Sequence, residues 1–173
     1  MAKTTPAPII EKLTKRHDRA AFDCGVDELN VYLQRFAGQN ERAGLSQHYV
    51  AVQAGAPNAV LGYYALSAGA VDFELLDQDQ RKRLPRYPVP VAHLGRLAVD
   101  RSAQGRRLGE MLLIDALART VRVADEVGMH AVEVVAINDA ARKFYLKYGF
   151  TALRDDVNHL YLPIRTVKKL DLA

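Results

Sequence analysis

Apolar residues in the first half of the chain recur at helical spacing in one region and alternate in others. A helix is predicted from Asp27, its expected cap, with a break near Gly38 and a continuation to Ala43. Its apolar stripe is formed by Leu29, Leu33 and Phe36, with Tyr32 beside them. A second helix is predicted from Phe73 to near Leu84. Strands are predicted at residues 8–13, 49–52 and 60–67, with turns at 22–26 and 55–58.

The second half shows a clearer order of strand and helix patterns. A strand is predicted at residues 91–99, with Leu97 and Val99 on one face and Arg96 and Ala98 on the other. A helix over residues 108–127 follows, with Gly128 as its C-cap. A nearly all-apolar strand at 131–136 leads to a helix that Asn138 caps and Gly149 ends, and closing strands are predicted at 151–153 and 160–164. This order predicts one α/β domain over residues 1–173, with at least one right-handed crossover.

Composition limits the class of protein. The 173 residues are 49% apolar and 25% charged, as is usual for a globular domain. The single cysteine, Cys24, excludes an internal disulfide and a cysteine-based zinc cluster, and it makes the cytoplasm the expected compartment. The first eight residues have no apolar leader core, and no stretch is long enough to span a bilayer, so we expect no membrane role. We also expect no metal, because His48, His93 and His159 lack metal-ligand spacing.

Basic residues are grouped along the chain, whose net charge is +4. The three groups are Arg81, Lys82, Arg83 and Arg86; Arg101, Arg106 and Arg107; and Arg142, Lys143 and Lys147. One such group is typical of a solvated helix face. Three groups around one site would favour an anionic ligand, either cofactor phosphates or nucleic acid.

A loop with two glycines, Gln104-Gly105-Arg106-Arg107-Leu108-Gly109, joins the strand at 91–99 to the long helix. Amide groups at a helix start have no intrahelical acceptor, and the helix dipole favours negative charge, so this loop can cradle a pyrophosphate. The P-loop pattern and the full dinucleotide-binding glycine pattern are both missing. For the loop taken alone, glycines that serve only the turn are the alternative.

Together with a later segment, this loop resembles the GNAT superfamily of N-acetyltransferases. The family's cofactor loop begins with Gln or Arg and ends with Gly or Ala, matching Gln104 and Gly109. Its later helix often reads N-x-x-A-x-x-F-Y-x-x-x-G-F, which matches at Asn138, Ala141, Phe144, Tyr145, Gly149 and Phe150. Arg107 stands where the family usually has glycine, a departure that is accommodated if the residue keeps a negative φ. The resemblance implies a single GNAT domain, with a central, mostly antiparallel, splayed mixed sheet flanked by helices.

Other strings extend the resemblance over nearly the whole chain and are similar to the GNAT toxins of bacterial toxin–antitoxin pairs. They are residues 22–26, 29–33, 37–40, 61–67, 94–100 and 160–163. This resemblance implies a toxin that uses acetyl-CoA to acetylate the α-amino group of aminoacyl-tRNA and so blocks translation. It also implies a ribbon-helix-helix antitoxin as partner and a homodimer.

The same resemblance implies which residues bind acetyl-CoA. The backbone of Leu97 and Val99 would hydrogen-bond the pantetheine arm as an added strand would. Asn138 and Phe144 would flank its thiol end. The pyrophosphate would be held by Gln104, Gly105, Arg106, Arg107, Leu108 and Gly109.

Tyr145 is the expected general acid that protonates the departing thiolate, because a phenol is protonated at neutral pH. A core tyrosine with a satisfied hydroxyl is the alternative interpretation. No side chain is indicated as general base, since Glu133 could equally be a structurally paired glutamate. An α-amine, titrating near ~8, needs a base less than a lysine near ~10.4, which favours an α-amine acceptor.

The tRNA acceptor stem would be held through its phosphates, with little sequence readout. The residues expected to make these contacts are Arg81, Lys82, Arg86, Arg142 and Lys143. Two other functions stay open. One is the same enzyme acting on a small amine or a protein N-terminus, and the other is a non-catalytic module that binds CoA or a partner. Cys24 is expected to be a buried small residue rather than a nucleophile.

Overall fold

The computed structural model describes residues 6–170, and its centre is one sheet of seven strands in the order β1-β2-β3-β4-β5-β7-β6. The strands are β1 (Ile9–Lys12), β2 (Gln47–Val52), β3 (Gly62–Val71), β4 (Val89–Val99), β5 (Ala131–Val135), β6 (Thr151–Ala152) and β7 (His159–Pro163). Pairs β1–β2, β2–β3, β5–β7 and β6–β7 are antiparallel, whereas β4–β5 is parallel. The expected mixed, mostly antiparallel sheet is therefore confirmed.

Short and long helices flank the sheet. They are α1 (Asp27–Val31), α2 (Ala37–Arg42), α3 (Gln78–Arg83), α4 (Leu108–Ala124), α5 (Asp139–Lys147) and α6 (Ile164–Val167), with 3₁₀ turns at Phe73–Leu75 and Arg101–Ala103. The parallel strands β4 and β5 are joined through α4, as parallel pairing requires. None of the helices described is long and apolar enough to cross a membrane.

The first helical region differs from its prediction at its start and in its middle. Asp27 is the first residue of α1 rather than its cap, and the preceding Val26 makes no side-chain cap bond. The chain does not break at Gly38, because a π-helical turn, Tyr32–Phe36, joins α1 directly to α2. Gly38 lies inside α2, and the nearest atoms to a Cβ built there are the ends of the long Arg19 and Arg42 side chains.

The helix predicted from Phe73 to Leu84 is two elements. Asp72 accepts a hydrogen bond from the Glu74 N–H at 3.3 Å, and Asp77 accepts one from the Gln80 N–H at 2.9 Å. Each aspartate thus caps its own short helix, and competing caps split the segment.

Two helix ends also differ from prediction, while a third agrees. The helix α4 ends at Ala124, so Gly128 is not its C-cap. Ile164 begins α6 and does not close a strand. Asn138 does cap α5, since its Oδ1 accepts the Ala141 N–H at 2.8 Å, and Gly149 ends the segment with φ +96°.

The chain forms two compact units. The first comprises residues up to Leu66 together with Arg96–Ala116, and the second comprises Ser67–Gly95 together with the chain from Leu117 onward. In the first, Phe22 and Tyr63 meet edge to face at 5.4 Å, and the Tyr63 hydroxyl donates to the Leu29 carbonyl at 2.7 Å. The core of the second is formed by Val71, Phe73, Leu76, Val89, Val91, Ala131, Leu153 and Tyr161.

Candidate active site

The loop between β4 and α4 carries the residues predicted to hold a pyrophosphate. Gly105 has φ +80°, and a Cβ there would meet no atom within 4 Å. The first turn of α4 is closed by the Met111 N–H donating to the Arg107 carbonyl at 3.1 Å. The amides of residues 108–110 therefore have no acceptor within the helix. Unpaired amide donors at a helix start can bind a phosphate group.

Arg107 adopts the left-handed backbone conformation, which corrects the expectation of a negative φ. Its φ is +60°, and no other non-glycine residue in the described chain has a positive φ. This conformation costs an L residue about 1–2 kcal/mol. The loop thus keeps the backbone that glycine usually provides, and the Arg107 and Arg106 side chains are exposed at its rim.

Gln104 fastens the loop to the segment before α1. Its side-chain amide donates to the carbonyls of Cys24 and Val99, both at 3.0 Å. The Val99 carbonyl therefore already accepts one hydrogen bond, and its second lone pair is left for a ligand. Gln104 and Cys24 are 80 positions apart, so no spacing rule predicts this contact.

Asp23 and Asp100 form a second brace that sequence reasoning missed. Asp100 accepts from the Asp23 N–H at 2.8 Å, and the Arg101 N–H donates to the Asp23 carbonyl at 2.8 Å. Burial raises the pKa of Asp100, but hydrogen bonds from Asp23 and Ser102 outweigh it, so this pKa lies below its usual value. The Gly25 N–H lowers the pKa of Asp23. Both carboxylates are therefore ionised at neutral pH and act as acceptors.

The strand β4 extends beyond the residues that pair with β5. Their parallel register runs from Val91 opposite Ala131 to Leu94 opposite Val134. Because β4 continues to Val99, Leu97 lies beyond the last residue paired with β5. Backbone beyond a paired register can bind an extended chain. With the open amides of the loop, it provides the two kinds of group that acetyl-CoA requires, and the residues fit this ligand.

Tyr145 on α5 has a buried ring and a hydroxyl without a protein partner. The residue is 5% exposed, and its ring meets Phe144 and Phe150 edge-on at 5.2 and 5.4 Å. Among residues 6–170, no group forms a hydrogen bond with its hydroxyl. Burial raises the pKa of Tyr145 above its usual value, so the phenol stays protonated. This arrangement differs from a core tyrosine with a satisfied hydroxyl and leaves the O–H free to donate.

Asn138 and Phe144 lie on the same helix as Tyr145. The Asn138 oxygen is committed to capping α5, so a ligand could use only its NH₂ group. Phe144 is half-buried and contacts Tyr145 on one side and Tyr148 on the other, each with ring centroids 5.2 Å apart. Its position is therefore fixed by aromatic packing.

Glu133 on β5 is hydrogen-bonded to two histidines, which is the paired state that the sequence left open. His93 Nδ1 lies 2.8 Å from Oε1 of Glu133, and His159 Nε2 lies 2.5 Å from Oε2. Burial raises the pKa of Glu133, but the bonds from His93 and His159 outweigh it and the pKa lies below its usual value. No local motif predicts this cluster, because its members come from three different strands.

Three of the predicted tRNA-contacting residues have acidic neighbours. Arg142 and Lys143 both pair with Asp139, the latter at 3.2 Å. Arg81 lies 3.5 Å from Glu74. These contacts reduce the charge that the three cations can offer to phosphates.

The other two predicted tRNA-contacting residues form no ion pair within the described chain. Lys82 and Arg86 are exposed, and no carboxylate of residues 6–170 lies within 4 Å of them. A concavity of about 560 Å³ in the first unit is also rich in cations. It is lined by Lys15, His17, Asp18, Arg19, Ala20, Gln34 and Arg42.

Neither a reactive thiol nor a metal-binding cluster is found in the part of the chain described. Cys24 is half-buried, and burial raises the pKa of its thiol, which disfavours the nucleophilic thiolate. Residues 6–170 contain no group of three or more His, Cys, Asp or Glu side chains that could hold a metal ion.

Comparison with known families decides the class. A family model described as Acetyltransferase (GNAT) domain matches residues 44–152. The chain belongs to the GNAT acetyltransferases. This GNAT chain is also similar to curated relatives over almost its whole length. It is 38% identical over 159 residues to a "tRNA-acetylating toxin" of Mycobacterium tuberculosis, covering 92% of this chain and 93% of that protein. It is 30% identical over 180 residues to the "Probable toxin TacT" of Sinorhizobium fredii, covering 98% and 99%.

Solved structures of KacT and AtaT share its fold. A tyrosine-to-phenylalanine mutant of KacT superposes with a TM-score of 0.91 at 30% identity, covering 95% of this chain and 99% of that one. AtaT complexed with acetyl-methionyl-tRNAfMet gives 0.88 at 30% identity, covering 94% and 98%. A tyrosine mutant of AtaT bound to acetyl-CoA and the C-terminus of the antitoxin AtaR gives 0.80 at 28%, covering 95% and 98%.

Proposed function

We propose that this protein is a tRNA-acetylating toxin that transfers the acetyl group of acetyl-CoA to the α-amino group of aminoacyl-tRNA and so blocks translation. The observation that carries the proposal is 38% identity to such a toxin over 92% of the chain. The tRNA-bound and antitoxin-bound relatives support it at the level of fold.

In this function the chain's own groups bind the donor and control one proton. The amides of the Gln104–Gly109 loop hold the pyrophosphate, with Arg106 and Arg107 adding positive charge. The backbone of Leu97 and Val99 holds the pantetheine arm, and Asn138 and Phe144 flank the thiol. Acetyl-CoA supplies the acetyl group. The free hydroxyl of Tyr145 donates a proton to the departing sulfur.

The acceptor is held through its phosphates. Lys82 and Arg86 are the strongest of the predicted contacts, because no carboxylate of residues 6–170 lies within 4 Å of their charged groups. Arg81, Arg142 and Lys143 contribute less while they stay paired with carboxylates. The cationic concavity around Arg19 and Arg42 adds to the attraction for RNA.

The expected partners follow the same function. A ribbon-helix-helix antitoxin neutralises the toxin, and the toxin works in the cytoplasm as a homodimer. Analytical ultracentrifugation of the purified protein tests the last point, since a monomer at micromolar concentration contradicts it.

The decisive experiment is transfer of radiolabelled acetyl from acetyl-CoA to a pool of charged tRNA. We expect label on charged tRNA, none on uncharged tRNA, and a rate that falls steeply with added salt as phosphate contacts are screened. Fractionation of the labelled pool then identifies the amino acid. Labelling of small amines or protein N-termini, with none on charged tRNA, would refute the proposal and leave the acetyltransferase assignment intact.

A further inference from the structure

Four side chains in the second unit form one continuous hydrogen-bonded chain that the proposed function has not used. It runs from His93 to Glu133, from Glu133 to His159, and from His159 Nδ1 to Asp155 at 2.9 Å. Register explains part of it, because His93 of β4 lies directly opposite Glu133 of β5. We call these four residues the histidine–carboxylate chain.

The hydrogen bonds fix where the protons are. An ionised carboxylate only accepts, and the lowered pKa of Glu133 keeps it ionised at neutral pH. His159 faces a carboxylate with each ring nitrogen, so both nitrogens carry hydrogen and the ring is a cation. Burial lowers the pKa of His159, but its bonds to Asp155 and Glu133 outweigh this and raise it.

His93 is left with one free nitrogen. Its Nδ1 donates to Glu133, so in the neutral ring the lone pair is on Nε2. Nε2 has no hydrogen-bond partner among residues 6–170, and the side chain is 34% exposed.

The free nitrogen lies beside Gly95. A Cβ at Gly95 would be 3.3 Å from Cδ2 and 3.4 Å from Nε2 of His93, so the missing side chain makes room for this edge of the imidazole ring. Gly95 is also the first residue of β4 beyond its register with β5. It therefore begins the stretch of β4 that the proposed function assigns to the pantetheine arm.

We propose that His93 is the general base of the acetyl transfer, with Glu133 and His159 as positioning residues that fix its tautomer. This inference rests on the proposed function. One N–H bond of the acceptor's ammonium group breaks, its electron pair stays on nitrogen, and the proton moves to Nε2 of His93. The nitrogen then bonds to the acetyl carbonyl carbon as the carbon–sulfur bond breaks. The sulfur takes the hydroxyl proton of Tyr145, and the second proton lost by the nitrogen restores the phenol. The proton held by His93 is released to solvent, so each transfer releases one proton in total.

The charged and titratable groups near His93 are few. Those of β5 and β7 are Glu133, His159 and Tyr161, and the Tyr161 hydroxyl is engaged by Asp77 at 2.8 Å. On β3, a Cβ added at Gly69 would lie 3.7 Å from the Cβ of His93. The residues on either side of Gly69 are Ala68 and Ala70, which carry no charge. Glu133 is therefore the acidic group that stabilises the imidazolium formed on His93.

The test is the pH dependence of CoA release by the full-length wild type and by His93→Gln, from about pH 6 to about pH 8.5, which spans the titration of an α-amine near ~8. We expect His93→Gln to lose about 10²-fold or more at the acidic end. The deficit should shrink as the amine deprotonates by itself and no longer needs a base. A constant ratio across this range, or full activity, would overturn the proposal.

Two variants separate position from chemistry. Glu133→Gln should lower kcat with little change in the KM for acetyl-CoA, and should show the same pH-dependent deficit. His130→Gln removes another histidine of the same unit, one bonded to Gln80 at 3.1 Å, and should keep the wild-type profile. All assays use whichever acceptor the wild type acetylates. If the wild type does not acetylate charged tRNA, that result contradicts the proposed function, and the role of His93 is then tested with the acceptor that is acetylated.

A spectroscopic measurement tests the proton positions without any acceptor. In nitrogen-15 NMR of histidine-labelled protein at neutral pH, His159 should be protonated on both nitrogens. His93 should carry its proton on Nδ1, and Glu133→Gln should disturb this preference. A neutral His159, or a His93 protonated on Nε2 alone, would overturn the proposal whether or not an acceptor is known.

Discussion

Tyr145 carries a hydroxyl that has no hydrogen-bond partner among residues 6–170 and is not fully buried, so it is open to solvent or to a ligand. Its ring is held by Phe144 and Phe150, and these contacts would persist without the oxygen. Tyr63 is the opposite case, because its buried hydroxyl donates to the Leu29 carbonyl at 2.7 Å. The two tyrosines therefore predict opposite responses to the same substitution.

Replacing Tyr145 by phenylalanine should lower the acetyl transfer rate at least about 10²-fold and leave stability and acetyl-CoA binding nearly unchanged. Tyr63→Phe should keep activity and lose about 1 kcal/mol of unfolding free energy, because a satisfied hydrogen bond is removed. Initial rates of CoA release and urea unfolding measure both. Full activity in Tyr145→Phe would exclude it as the general acid.

At the scale of elements, the phosphate loop depends on a brace from a distant part of the chain. Gln104 and Asp100 tie it to residues 23 and 24. The conformation of the loop is thus set by tertiary contacts as well as by its glycine. A change in the brace should affect cofactor binding before it affects chemistry.

Asp100→Ala should raise the KM for acetyl-CoA several-fold and leave kcat nearly unchanged at saturation. It should also lower the unfolding free energy by about 1–3 kcal/mol, because the Asp23 and Ser102 amides lose their acceptor. Asp72→Ala is the matched control, since it removes a comparable cap in the second unit. An equal change of KM in both variants would show that the effect is only a loss of stability.

Elements whose ends are set by nearby residues could be predicted from the sequence, whereas features that depend on distant contacts could not. The bounds of α5 were predicted because Asn138 and Gly149 act within a few residues of the helix they end. The π-helical turn at Tyr32–Phe36 has no such signal, and it leaves Phe36 of the predicted apolar stripe 46% exposed while Leu29 and Leu33 are buried. The Asp23–Asp100 brace and the histidine–carboxylate chain join distant residues, and only the fold brings them together. The mixed, mostly antiparallel sheet was predicted through motif resemblance, since periodicity alone does not set strand order.

At the scale of the whole molecule, the histidine–carboxylate chain links stability to pH. The pKa of Glu133 is below its ordinary 4.5, so its contribution is present above that pH and is lost as pH falls through the lower, folded value. The pKa of His159 is above its ordinary 6.5, so its contribution is present below that pH and is lost as pH rises through the folded value. Both contributions are complete only between these two ordinary values.

The wild type should therefore lose more thermal stability than His159→Gln when the pH rises from about 6 to about 8.5. Each kcal/mol lost corresponds to a fall of about 2–4 °C in Tm at this chain length. The measurement is the difference in Tm between the two proteins at several pH values. Taking this difference cancels the contributions of the other titratable groups. Parallel Tm–pH curves would contradict the assigned charge of His159.

At Arg107, the backbone conformation that lowers stability occurs in the same residue as a positive charge that favours binding of an anionic ligand. Glycine there would relieve the strain of the left-handed backbone but would remove a cation from the rim of the loop. Directed evolution for heat resistance alone should therefore drift toward glycine at position 107, and the survivors should bind anions less well. The heat-resistant protein and the most active enzyme would then be different sequences.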